Sequence, residues 1–272
     1  MTTSTTPTPT PMPMPTTVTT TVPTRTPSRA PSRDRALPAW PEQLRFPGQT
    51  AAHPGPVDMT MMYVMHHAFR RDLAAFAAAA AATPAQARTT WRALAARWEL
   101  FAAALHHHHT GEDTGLWPLL LERTDEVGRA TLQAMEDEHA EIDPILSACS
   151  AGFARLASQA DDDARAGLAI RLTAAKSSLG RHLEHEETEA VAIIQQVMTG
   201  QEWHDLEETH FRSGLRTAEV LALVPWAMHR VPAPLRRSVF ATTGRPHHLM
   251  WLVTRRSFEQ RERAAFAYLD QA

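Results

Sequence analysis

Residues 105–120, LHHHHTGEDTGLWPLL, place four consecutive histidines just ahead of two carboxylates. On a helix neighbouring side chains point about 100° apart, so four adjacent imidazoles cannot share one interior. Alternating steps of three and four through Trp91, Leu94, Trp98, Phe101, Leu105, His108, Glu112, Leu116 and Leu119 trace one unbroken apolar stripe. His108 and Glu112 therefore face inward, one helical turn apart, where an imidazole and a carboxylate can hold the same ion. Burying an unpaired polar group costs roughly 2 to 7 kcal/mol, and a charge costs more. A cation between them removes that cost.

The remaining sequence is read outward from this helix. Its 272 residues carry 27 Lys plus Arg against 30 Asp plus Glu, a near balance without a global nucleic-acid signal. A single cysteine, Cys149, excludes an intramolecular disulfide and suits a reducing compartment. No apolar run reaches the ~18 residues of a membrane span, and the amino terminus has no apolar signal core, so the protein is expected to be soluble and cytoplasmic. Residues 1–56 hold thirteen of the twenty prolines among Thr and Ser and are expected to form a disordered tail. A proline at every second position from 7 to 15 also excludes the amphipathic helix of a transit peptide.

From Val57 the sequence becomes alanine-rich, with the stripe Met62, His66, Phe69, Leu73 and Phe76; His67 is expected on the flank. Thr83 and Pro84 read as cap and first position of the second helix, which runs to about Arg123 and is weakened at Gly111 and Pro118. A third helix starting near Asp125 carries Leu132, Met135, His139, Ile142, Leu146, Cys149, Phe153 and Leu156 on one face, with Asp143 at its edge. The acidic run 161–163 suits the start of a fourth helix, striped by Leu168, Leu172, Ala175, Leu179, His182, Glu186, Ala190, Ile193 and Val197. The second helix's histidine and glutamate, four residues apart, thus recur. Residues 199–272 read as shorter helical pieces broken at Gly214, Pro225, Pro232, Pro234 and Pro246. They are locally basic, with ten arginines and three glutamates from 212 to 263. They are expected to fold back over the helices, and their peripheral contact with an anionic membrane is one alternative.

The expected architecture is all-α: an up-down-up-down four-helix bundle over 57–198, followed by a basic helical extension over 199–272. The polar interruptions of its stripes, His66, His108, Glu112, His139, His182 and Glu186, with Asp143 as a further candidate, then converge on one axis. Any of these histidines alone reads as a hydrogen-bonded core residue; the coincidence on four helices points to metal. The set exceeds what one tetrahedral zinc needs and suits two ions, with both glutamates between them and an open position for an exogenous ligand. Mixed imidazole and carboxylate donors without thiolate favour iron, with manganese and zinc as alternatives. His106, His107, His109 and His185 are expected outside the ligand set.

The segments MHHAFRRDL (65–73), HHHHTGEDTGLWPLL (106–120), MEDEHAEID (135–143) and HLEHEETEAV (182–191) resemble the four ligand-bearing helices of hemerythrin-like, HHE cation-binding domains. The resemblance covers about residues 57–198. It implies two iron ions, oxo- or hydroxo-bridged, that bind O2 or related small species, held by His66, His108, Glu112, His139, His182 and Glu186. Oxygen-carrying hemerythrins have a second histidine four residues after that on the third helix, where this chain has Asp143. The departure weakens reversible oxygen carriage and favours sensing, peroxide or nitric oxide chemistry, or iron handling. The residues alone do not decide between a binding and sensing protein, an enzyme that disproportionates peroxide, and an iron or zinc buffer. Neither a basic recognition helix nor an aromatic groove for nucleic acid is present; in the sensing reading the tail and the basic extension couple ligand capture to a protein partner whose identity is unknown.

Overall fold

The computed structural model describes Met1 and residues 40–269; residues 2–39, most of the segment expected to be disordered, lie outside them. Among the described residues the regular structure is entirely helical. Helix α1 spans Thr60–Ala82 and α2 spans Arg88–Gly111, continuing through a π-helical turn, Glu112–Leu116, into α3, Trp117–Leu121. Helix α4 covers Glu126–Ser158. Helix α5, Asp162–His185, passes through a second π turn, Glu186–Ala190, into α6, Val191–Val197. The aspartates before α4 and α5 act as caps: Asp125 accepts from the Gly128 amide and Asp161 from that of Ala164. Thr83 and Pro84 do not open α2; they form a turn closing α1, and the Pro84 carbonyl accepts the Trp91 indole N–H at 2.9 Å. Pro84 cannot donate an amide hydrogen bond, so the chain turns there and helix resumes at Arg88.

Contacts between the long helices give their directions. Arg165, early in α5, reaches the Ala81 carbonyl at the end of α1, whereas Glu187, beyond α5, reaches His66 near the start of α1. In the same sense Trp98 bonds Ser150 and Asp113 bonds His139, so α2 and α4 run antiparallel. Phe76, Trp98, Phe101 and Phe153 fill one end of the interior with ring centroids 5.0 to 5.8 Å apart. Such edge and tilted pairs add about 0.5 to 1.5 kcal/mol each beyond their buried area. The other end of the interior is where histidines and glutamates interrupt the stripes.

Residues 40–56, counted with the tail because of their prolines, pack against the bundle as an irregular strap. Phe46 is buried, the Thr50 amide donates to Glu187 at 2.7 Å, and Gln195 brackets Val57 through both its amide N–H and carbonyl. Proline is no obstacle there, because the strap takes its partners from side chains of the bundle rather than from a backbone ladder. It also covers His67, whose ring bonds the Pro47 carbonyl, so that residue is buried rather than on an open flank.

Beyond the bundle come α7 (Gly200–Leu206), a third π turn (Glu207–Arg212), α8 (Thr217–Ala227), α9 (Ala233–Thr243) and α10 (Arg245–Ala265). Pro225 sits inside α8 without ending it, and Pro246 lies in the first turn of α10, where no amide partner is lost. The extension is fastened to the bundle by a buried polar knot. Asp72 of α1 accepts from Arg97 at 2.6 Å and from the Trp226 indole at 2.7 Å, while Arg97 also pairs with Glu262 of α10. Burial alone would raise the Asp72 pKa, but the Arg71 and Arg97 guanidiniums hold it below the usual carboxylate value. No helix among the described residues is long and apolar enough to cross a membrane.

Candidate metal centre

Two groups of buried side chains meet at the end of the bundle where the first two π turns begin. His66 of α1, His108 of α2, Glu112 and Glu186 form one group, with ligand-capable atoms all within 4.8 Å of one another. His109, His139 and His182 form the other on the same criterion. Atoms so spaced can lie about 2.0 to 2.6 Å from a common centre, the range of metal–nitrogen and metal–oxygen bonds. The two glutamates lie between the groups. Glu112 directs one oxygen to His108 Nε2 at 3.1 Å and the other to His139 Nε2 at 3.6 Å. Glu186 Oε2 lies 3.1 Å from His66 Nε2 and 3.9 Å from His182 Nε2.

The hydrogen-bond pattern separates inner from outer atoms. His66 Nδ1 meets Glu187 at 3.0 Å, His139 Nδ1 meets Asp113 at 2.7 Å, and His182 Nδ1 meets Glu138 at 2.9 Å. A carboxylate behind each ring fixes the tautomer that leaves Nε2 a lone pair toward the interior. By contrast, His66 Nε2, His108 Nε2, both nitrogens of His109 and all four oxygens of Glu112 and Glu186 are buried without a hydrogen-bond partner. Buried polar atoms are normally satisfied. So dense a set of orphaned acceptors facing one another is what a cation would complete.

Crowding these groups together without a cation shifts their protonation. Burial, with Glu186 and Asp113 nearby, pushes the Glu112 pKa well above its ordinary value. Burial draws His66 down, but Glu186 and Glu187 outweigh it and hold its pKa up to about 9. Burial and the neighbouring imidazoles drive His108 and His109 well below the usual histidine value. A metal takes neutral imidazoles and ionised carboxylates, so His108 and His109 already stand in the state it needs, whereas Glu112 and His66 would each give up a proton to it.

Two residues depart from expectation. His109 is buried, its ring stacked on His139 at 3.8 Å, although it was expected outside the ligand set. Leu105 has two inward successors, three and four residues on: His108 turns toward His66 of α1 and His109 toward His139 of α4. Asp143 is exposed and belongs to neither group; from His139 the buried path runs through Ile142 and Leu146. His106 is exposed, His107 bonds the Phe211 carbonyl at 2.7 Å, and His185 shares Glu138 with His182. The partners Asp113, Glu138 and Glu187 escaped the stripe analysis, because each sits one residue off the stripe, beside Glu112, His139 or Glu186. Glu187 is fully buried, held by Arg70 at 2.6 and 3.1 Å and by the Thr50 amide.

The first two π turns each start at a glutamate of the centre. One extra residue in the turn rotates everything after it, so the glutamate stays inward while the following apolar residues regain the core face. Gly111 precedes the first and Gly115 lies within it: a side-chain carbon on Gly111 would lie 2.6 Å from the Phe211 ring, and one on Gly115 would strike His210. The third π turn, carrying both residues, therefore seats directly on the first.

The family model for the hemerythrin HHE cation-binding domain matches residues 58–194. The chain belongs to the hemerythrin HHE family. Comparison with curated proteins and with solved structures gives no match. The HHE region contains every residue of both groups and the carboxylates behind them, whereas Thr50 of the strap and the π turn bearing Phe211 lie outside it. This HHE domain is thus buttressed by segments on either side of it in sequence.

Proposed function

We propose that the chain is a non-haem di-iron protein of hemerythrin type that binds O2 or a related small species such as peroxide or NO, in sensing or in the response to oxidative or nitrosative stress. The observation that carries this reading is the position of Glu112 and Glu186, each facing imidazoles of both groups with no hydrogen bond to either oxygen. In this reading the first ion takes His66 and His108, the second takes His109, His139 and His182, and both glutamates are shared. Fewer protein donors would hold the first ion than the second. Nitrogen and carboxylate donors without thiolate suit iron in both common oxidation states, and Cys149 is in neither group.

Bound iron would supply reversible electron transfer to the small ligand. The chain's own residues do the rest: Glu187, Asp113 and Glu138 hold three imidazoles in one tautomer, and the apolar stripes keep bulk water from the donors. The extension is well placed to report occupancy, since Phe211 lies 6.0 Å from the His108 ring and His107 holds its carbonyl. Elemental analysis of the purified chain, with absorption spectra before and after oxidation and on addition of azide or NO, tests the reading. Two irons per chain with charge-transfer bands that shift on azide are expected. A tightly held zinc complement without redox response would instead make the centre a store or a structural site.

A further inference from the structure

We propose that the cavity between the bundle and the extension is a binding site for an uncharged, hydrocarbon-rich organic molecule. This goes beyond the small-ligand reading and does not depend on which metal the centre holds. The cavity has a volume of about 370 Å³, and its walls include Met61 and Met65 of α1, His108 and Phe211, and Leu223 and Val239 of the extension. A diatomic ligand or peroxide fills only a small part of that space. The volume lies in the range of pockets that enclose whole organic molecules.

The wall chemistry selects the class. Helix α8, TAEVLALVPWA, is almost entirely apolar, yet only Pro225, Trp226 and Ala227 of it are buried. Val220, Leu223 and Val224 turn to the cavity and remain half-exposed, as do Met61 and Met65 opposite them. Methionine's flexible thioether adapts to ligand shapes that a branched side chain would exclude. Apart from the Trp203 indole N–H, a neutral donor, and His108 Nε2, which faces the metal centre, the polar groups on the wall are already engaged. His107 bonds the Phe211 carbonyl, His247 bonds the Thr243 carbonyl, and Arg212, the one Arg or Lys of the wall among the described residues, pairs with Glu207 and Glu208. Among the described residues no cation is therefore free to anchor an anionic head, which argues against a fatty-acid carboxylate and for a neutral molecule. His108 stands on the same wall, so one end of the occupant rests beside the candidate metal centre.

The test is titration of the full chain with N-phenyl-1-naphthylamine, an uncharged fluorescent probe, competed by 1-dodecanol. Saturable, blue-shifted binding at one per chain is expected. The anionic counterpart 8-anilinonaphthalene-1-sulfonate, with a similar aromatic body, is expected to bind about tenfold or more weakly. Leu223→Trp and Met61→Trp fill the cavity from opposite walls, and each is expected to weaken the neutral probe by about tenfold or more with helical circular dichroism and metal content retained. If one variant does not fold, the other decides. Lack of saturable binding, equal or tighter binding of the sulfonate, or unchanged affinity in a folded variant overturns the proposal.

Discussion

The His109 ring lies parallel to that of His139, with centroids 3.8 Å and planes 10° apart, and neither His109 nitrogen has a hydrogen-bond partner. A histidine serving only as packing would leave two polar atoms buried at a cost that a phenyl ring avoids. In the reading proposed above, His109 completes the second ion's donors. His109→Phe keeps the ring's bulk and removes the nitrogens. Its expected outcome is a fall in iron from about two to about one per chain with helix content unchanged, read by elemental analysis and circular dichroism. Full retention of metal would make His109 a packing residue.

Glu187 ties three segments together: it receives the Arg70 guanidinium, the Thr50 amide and the His66 ring. Glu187→Gln keeps the shape but loses the charge that opposes Arg70 and orients His66. Metal affinity, measured by competition with a chelator, is expected to fall roughly 10- to 100-fold, the usual consequence of losing a ligand's outer partner. Hydrogen exchange at Thr50 should quicken in the same variant. Unchanged affinity with a faster Thr50 amide would confine Glu187 to holding the strap.

How far the sequence could be read follows from these residues. A 3.6-residue period brings His66, His108, Glu112, His139, His182 and Glu186 to the buried face, and all six are buried. The same period admits both the third and the fourth residue after an inward one. It therefore does not distinguish His108 from His109, or Ile142 from Asp143, without knowing which neighbouring helix each faces. Period analysis also assumes a constant twist, which the π turns at Glu112 and Glu186 break. The strap escaped detection for another reason: its proline content describes how a free chain behaves, whereas Phe46 packs on His67 and Thr50 is held by Glu187, more than a hundred residues away in sequence.

The polar knot under the extension gives a pH signature separate from the metal centre. Burial, followed by the charges of Arg71, Arg230 and Arg97, lowers the His229 pKa to about 4 from 6.5. Between these values the unfolded chain binds a proton that the folded chain refuses, so stability rises with pH across the window and falls as pH drops from about 6.5 toward 4. His229→Gln removes that proton. In thermal melts of metal-free protein from pH 4 to 7, the variant is expected to lose less stability on acidification than the parent. The difference between the two curves isolates His229 from the other buried histidines; parallel curves would mean that His229 protonates equally easily folded and unfolded.

Gly111 is a point of close approach between the extension and the HHE domain. A Cβ there would meet two Phe211 ring carbons, at 2.6 and 2.8 Å, and an aromatic ring cannot yield as a long flexible side chain does. The residue lies in ordinary helical backbone, so its need for glycine comes from space rather than from a left-handed conformation. In an open helix glycine-to-alanine would stabilise by up to ~1 kcal/mol. Here Gly111→Ala is expected to destabilise by about 1 to 3 kcal/mol, the usual cost of forcing extra volume into a packed interior. Phe211→Leu creates space where the methyl group lands, so the double variant should recover part of the loss. The check is a double-mutant cycle in urea, with a coupling of about 0.5 to 3 kcal/mol expected for residues in contact. Additive effects would show that Phe211 swings away from Gly111, and hence that the extension rests on the domain less firmly than its geometry implies.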